Sequence, residues 1–258
     1  MNPSELLLQM GLAITAVVAN ALSAFAGGGA GLVQLPALIL LGLPFAMALA
    51  THKIASVALG LGAAGRHWRS STLNAPISGL ILAAGLPGVW IGARMVLAVP
   101  DRIATAVLAL LTLALGIYSV CRPQLGTLDQ RRRLSGKVLV VGSMGLFGIG
   151  MLNGSLSSGS GLFVTLWLVR WFGLSYTQAV AHTLVLVGLC WNGTGALVLG
   201  INGEIRWGWL PALISGSLLG GFIGAHLSLS HGDRMVKRAF EILAALMGMS
   251  LLVRSCLI

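Results

Sequence analysis

"AFAGGGAGLVQLPALILLGLPFAMALATHK", residues 24–53, decides how many times this chain crosses a membrane. Gly27, Gly28, Gly29 and Gly31 break a strongly apolar run, and Thr51, His52 and Lys53 stand inside the next one. Between them lies the apolar segment 31–42. At 1.5 Å per residue it reaches about 18 Å, little more than half of a hydrocarbon core of about 30 Å.

Outward from this stretch the chain stays apolar. It has 258 residues, of which 57% are hydrophobic and 9% charged, and its mean hydropathy is +0.94. A soluble domain carries about 25% charged residues, so the solvent for most of this surface is lipid. An all-α integral membrane protein is expected. Spans of about 20 residues are predicted near 5–25, 46–65, 75–97, 102–120, 137–155, 177–199, 208–229 and 235–253. A second undersized segment, 161–172, follows a second small-residue break, Ser157-Ser158-Gly159-Ser160-Gly161. The opening MNPSE lacks the Lys or Arg of a signal peptide. Asn2, Pro3 and Glu5 instead fit a helix start, here the start of the first span.

The two breaks belong to an internal repeat. Gly29 and Gly31 correspond to Gly159 and Gly161, 130 residues on. "GLPFAMALATHK" from Gly42 matches "GLSYTQAVAHTL" from Gly173 at 131, and "GVWIGARM" from Gly88 matches "GGFIGAHL" from Gly220 at 132. Asp101-Arg102 likewise matches Asp233-Arg234. The drift implies small insertions. The halves 1–128 and 129–258 are read as two membrane repeats forming one transport domain.

Charge decides their relative orientation. The net charge is +10, which in a soluble protein would suggest nucleic acid. No nucleic-acid motif appears, and the basic residues fall mostly in short loops, as the positive-inside rule describes. With four crossings per repeat the basic residues divide almost evenly between the two sides. With five, counting the short segment, one side collects Arg66, Arg69, the basic residues of 122–137, Arg170, Arg234, Lys237 and Arg238. The other keeps Arg94, Arg102, Arg206 and Arg254. The better separation favours two inverted repeats of about five segments, four long helices plus one short broken helix in each. The basic loops 66–69 and 122–137 then lie in the cytoplasm and both termini outside. Short helices at matching positions of inverted repeats mark secondary transporters, with the substrate between the repeats.

Polar residues within spans are candidates for function by default. Of the carboxylates, only Glu241 falls within a span, near its basic end, which argues against a carboxylate proton relay or a carboxylate-lined cation site. Lys53 and His52 lie about two turns into theirs, and His182 at similar depth in the other half. "ATH" (50–52) is answered by "AHT" (181–183). A buried cation without a buried acid needs a counter-ion, and a transported anion supplies one. Helix N-termini at the breaks would add N–H donors, and glycine there lets the backbone approach a ligand. The candidate substrate-binding residues are Gly28, Gly29, Gly31, Gln34, Thr51, His52, Lys53, Ser158, Gly159, Ser160, Gly161, His182, Thr183 and Asn192. The same glycines also suit close helix packing, Lys53 could snorkel, and Asn192 could bridge helices. Cys121, Cys190 and Cys256 have no metal-ligand spacing. No metal, cofactor or catalytic residue is expected.

The Gly-rich break followed by "VQLPALILLGLPFAMALATHK", with "GLSYTQAVAHTL", Asn192 and "GINGEIRW" in the second half, resembles the TauE/SafE sulfite exporter family over residues 10–255. The resemblance implies a multi-pass carrier in the cytoplasmic membrane for sulfite, thiosulfate or an organosulfonate. Two departures stand out: His52 occupies a position where a small polar residue is expected, and no proline in the second break answers Pro36. The reading is a non-enzymatic secondary carrier working by alternating access, with a small anion, the bilayer, a coupling proton and a second copy of itself as partners. An anion channel and a membrane-embedded enzyme are the alternatives. An intramembrane serine protease would need Gly-x-Ser-Gly, and Ser158 stands where its first Gly would be.

Overall fold

The computed structural model describes residues 3–28, 30–67, 73–95, 101–127, 129–130, 132–156, 159–202 and 205–257. Among them there is no strand. The first half holds α1 (Pro3–Ala26), α2 (Ala30–Leu40), α3 (Phe45–His67), α4 (Ala75–Met95) and α5 (Asp101–Val120). The second holds α6 (Gly136–Leu156), α7 (Ser160–Phe172), α8 (Tyr176–Asn202) and α9 (Leu210–Leu257). The last helix is bent at Gly232, whose φ of 74° and ψ of 176° are not helical. Its limbs 210–231 and 233–257 stand where the sequence predicts two spans. Among the described residues, six stretches are long and apolar enough to cross a membrane. The undersized segments are short helices, as expected, of 11 residues in α2 and 13 in α7.

Which faces are buried follows from lipid being the solvent. Along α1, Leu7, Met10, Ile14, Val18 and Leu22 recur every three or four residues and are about half or more exposed. The opposite face buries Ala16, Ala19, Asn20 and Ser23. Large apolar residues face out and small or polar ones in, because lipid solvates the former and only protein satisfies the latter.

Small residues set the main helix contacts, and they do so in pairs. A Cβ on Gly88 or Gly92 of α4 would meet the carbonyls of Phe147 and Met151 on α6. A Cβ on Gly220 or Gly224, at the matching places in α9, would meet Val17 and Ala21 on α1. Gly150 packs on Gly85, and the matching pair, Asn20 and Ser217, is joined by a 3.0 Å hydrogen bond. α1 thus packs on the first limb of α9 as α6 packs on α4.

The drift in the repeat offset has a structural counterpart. Two stretches of the second half, Leu168–Phe172 and Thr183–Trp191, are wide π-type turns, while α2 and α3 are regular α-helix. The offset rises from 130 to 131 between Gly161 and Gly173, an interval that holds the first wide turn, and from 131 to 132 between Leu184 and Gly220, an interval that holds the second. A π-bulge absorbs one inserted residue within a helix, so residues on either side keep their faces.

Candidate functional site

The two breaks touch. Gly28 has φ +118°, and a Cβ there would stand 2.5 Å from the Gly161 Cα. A Cβ on Gly161 would be 2.8 Å from the Gly28 Cα. The backbone turns at Gly27 (φ 88°) and Gly28 after α1, and at Gly159 (φ 74°) before α7. The Gly27 and Gly28 N–H groups both donate to the Ser23 carbonyl, at 2.9 and 2.7 Å. The Thr165 hydroxyl donates to the Gly27 carbonyl at 2.6 Å and lies 2.9 Å from the Thr183 hydroxyl. These bonds hold the two breaks against each other in the middle of the bundle.

Beside the crossing is a cavity of about 40 Å³. One water needs about 10–15 Å³ on this measure, so the space suits a few waters or a small polyatomic ion. The N-terminal residues of both short helices line it: Ala30 and Gly31 of α2, Ser160 and Gly161 of α7. Its polar wall comes from Ser23, His52, Ser56, Asn153, Thr183 and Asn192, all of them buried. No carboxylate is among its lining residues. Two helix N-termini thus bring the positive ends of their dipoles to one space.

Of the residues expected at the site, Gly28, Gly31, His52, Ser160, Gly161, Thr183 and Asn192 line this cavity. Gly159 caps α7 just behind it. Gly29 and Ser158 lie outside the described residues. Four others stand back from it. Gln34 takes the His52 Nδ1 hydrogen on its amide oxygen (3.1 Å), which also accepts from Asn20 Nδ2 at 3.3 Å. Because an amide oxygen only accepts, His52 Nε2 is left to accept from the Ser56 hydroxyl at 3.2 Å.

Lys53 is fully buried and donates to the Asn153 carbonyl at 2.8 Å and to Asn153 Oδ1 at 3.3 Å. Asn153 sits in the last turn of α6, where carbonyls have no partner within the helix. The negative end of α6 is therefore the counter-charge for Lys53, a role expected of the substrate. The lysine reaches the cavity at one remove, since Asn153 Nδ2 donates to Ser160 Oγ at 2.8 Å and lies 3.4 Å from Asn192 Oδ1.

Thr51 and His182 are aligned in the repeat, and each grips the other half of the chain. The Arg206 N–H donates to Thr51 Oγ1 at 3.1 Å. The Asn74 N–H donates to His182 Nε2 at 2.9 Å, and His182 Nδ1 donates to the Gln178 carbonyl at 2.8 Å. Arg206 and Asn74 are 132 residues apart, the offset of Gly88 and Gly220. Asn74 accepts from the Ile77 N–H at 3.2 Å, which makes it the N-cap of α4. His182 and Thr51 fasten chain entries rather than line the cavity.

Sequence reasoning did not single out Ser23 or Ser56 as site residues. Ser23 lies three residues before Ala26, the last residue of α1, and is the repeat partner of Asn153, a signal the alignment carries. Ser56 follows His52 by one helical turn, the spacing that puts both on one face.

A polytopic helical bundle with a buried, acid-free polar cavity at two broken helices defines a multi-pass membrane transporter. The chain belongs to the TauE/SafE sulfite exporter family, whose model matches residues 12–251. It is 30% identical over 230 residues to a "Probable membrane transporter protein" of Haemophilus influenzae, covering 89% of each chain. It is 29% identical over 252 residues to the "Probable membrane transporter protein YfcA" of Escherichia coli K12, covering 98% of this chain and 92% of the relative. A "Probable membrane transporter protein ORF9" of Sinorhizobium is 28% identical over 246 residues. No solved structure matches the chain.

Proposed function

We propose that this protein is a secondary carrier of a small sulfur oxyanion or sulfonate, such as sulfite or thiosulfate, acting by alternating access in the cytoplasmic membrane. The observation that carries the reading is the convergence of the α2 and α7 N-termini on one buried cavity without a carboxylate. Such a space repels no anion, and hydroxyl and amide groups on its wall offer several donors to a compact oxyanion. The cavity volume of about 40 Å³ suits a small ion better than an extended organic acid.

The halves 1–128 and 129–258 act as inverted repeats that rock about the touching breaks. The paired contacts of α1 with α9 and α6 with α4, and the reciprocal Thr51–Arg206 and His182–Asn74 bonds, support this arrangement.

His52 is the coupling group. When Nε2 takes a proton it becomes a donor, so Ser56 must accept from it and its own hydroxyl hydrogen turns toward the cavity. The proton thereby adds both a charge and a donor where the anion sits. Lys53, next in sequence, faces Asn153 and stays out of this relay.

Counterflow of radiolabelled sulfite in proteoliposomes tests the carrier reading. Saturable exchange, competed by thiosulfate or a short sulfonate and driven by an inward-acid gradient, is expected. Non-saturable flux would make the protein a channel. Absence of exchange for every sulfur anion tried, in protein verified as inserted, would remove the substrate class.

A further inference from the structure

A second cavity, far larger than the first, shares no lining residue with it. It measures about 550 Å³ and is walled by the end of α5, the turn 121–126, Gln130, Arg132 and the end of α7. Three arginines line it, Arg122, Arg132 and Arg170, together with Tyr118, Gln124 and Gln130. No carboxylate is among the lining residues. The pocket therefore carries three positive side chains and favours an anion.

The frame is fixed. Gln130 N–H donates to the Gly173 carbonyl at 2.9 Å, Arg132 N–H to the Phe172 carbonyl at 3.0 Å, and Tyr176 N–H to the Gly126 carbonyl at 2.9 Å. Gln130 and Arg132 are therefore tied by their backbones to the turn after α7. Arg170 Nε donates to the Tyr118 hydroxyl at 2.5 Å. The Arg132 guanidinium lies 5.9 Å from the centre of the Trp171 ring, which stacks on Trp167 at 5.4 Å.

α5 and α7 both end here, so they present carbonyls rather than N–H groups. An anion in this cavity owes its binding to side chains, unlike one between the two breaks. The guanidinium fork matches a phosphate oxygen pair in geometry as well as charge. Tyr and Trp beside it are residues of the membrane–water interface, which sets the cavity at headgroup depth.

We infer that this pocket binds a phosphate group at the membrane interface, presented by the headgroup of an anionic phospholipid. The site is separate from the central cavity, and its test does not depend on transport.

The test is thermal unfolding of delipidated, full-length protein in detergent, titrated with dioctanoyl phosphatidylglycerol, dioctanoyl phosphatidylcholine or inorganic phosphate. Phosphatidylglycerol is expected to raise Tm saturably, and phosphatidylcholine to leave it unchanged. In the triple variant R122Q/R132Q/R170Q the midpoint should rise by at least about tenfold, the scale of losing one charge-assisted hydrogen bond. If that variant does not fold, R122Q and R170Q singly should each shift it by about threefold. A response to inorganic phosphate with the same variant dependence, and none to the lipid, would assign the phosphate to a soluble ligand and overturn the lipid source. No saturable response to either, or an equal loss in the control R66Q/R94Q, whose charges lie outside the pocket, would overturn the site.

Discussion

At the residue scale the crossing of the breaks separates two effects that glycine substitution usually mixes. Gly28 has both a positive φ and a neighbour's backbone at its Cβ position, Gly161 only the neighbour, and Gly42 (φ +94°) only the positive φ, with nothing within 4 Å. Left-handed strain on an L-residue is about 1–2 kcal/mol. Gly42→Ala should therefore lower Tm modestly and leave counterflow intact. Gly161→Ala should impair counterflow with little backbone strain, and Gly28→Ala should do both. Counterflow and Tm measured together on the three variants check this, and equal transport in all three would mean that the crossing is not the moving part. Lys53 gives a second case. Lys53→Met leaves the Asn153 carbonyl buried and unpaired at a cost of about 1–3 kcal/mol, and it loosens the amide that reaches Ser160. A lower Tm together with a higher KM for the anion is expected, whereas a lysine facing the substrate directly would raise KM alone.

At the element scale, His182 and Ser56 should fail in opposite ways. His182 accepts from the residue that caps α4, so His182→Ala should lower Tm and leave KM unchanged. Ser56 lines the cavity and contacts His52, so Ser56→Ala should leave Tm nearly unchanged, raise KM and flatten the response to an acid gradient. The reverse pattern in Tm and KM would move the site from the crossing to the α3–α4 connection. The same comparison shows what was legible in the chain itself. Span positions, the short helices and the pairing of the breaks could be read because they rest on length, hydropathy and glycine spacing. The role of the buried polar residues could not, because "THK" and "AHT" look alike in one dimension while their partners lie far off in sequence. Asn153 is a hundred residues from Lys53, and Asn74 is 108 from His182. The wide turns were legible only as a drift of one residue, twice. A π turn has no composition of its own, and only the repeat made the extra residue countable.

At the scale of the whole molecule, parity remains the decisive quantity, and it predicts where one native thiol points. Five crossings per half place the chain start and the turn after α5 on opposite sides of the membrane, whereas four would place them on the same side. Lys237, counted above among loop charges, is buried and paired with Glu241 at 2.5 Å, so it belongs to the fold rather than to orientation. Removing it from the count leaves the separation of Arg66, the 122–137 loop, Arg170 and Arg238 from Arg94 and Arg206 unchanged in sense. Cys121 is exposed in the turn after α5, and Ser4 is exposed at the start of α1. In a C190S/C256S background, a membrane-impermeant maleimide should label Cys121 only in inverted vesicles. After C121S is added, the same reagent should label S4C only in intact, right-side-out cells. Labelling of both positions from one side would require an even number of crossings between them. The short helices would then be re-entrant rather than spanning, and the two halves would be parallel, with no inversion to drive alternating access.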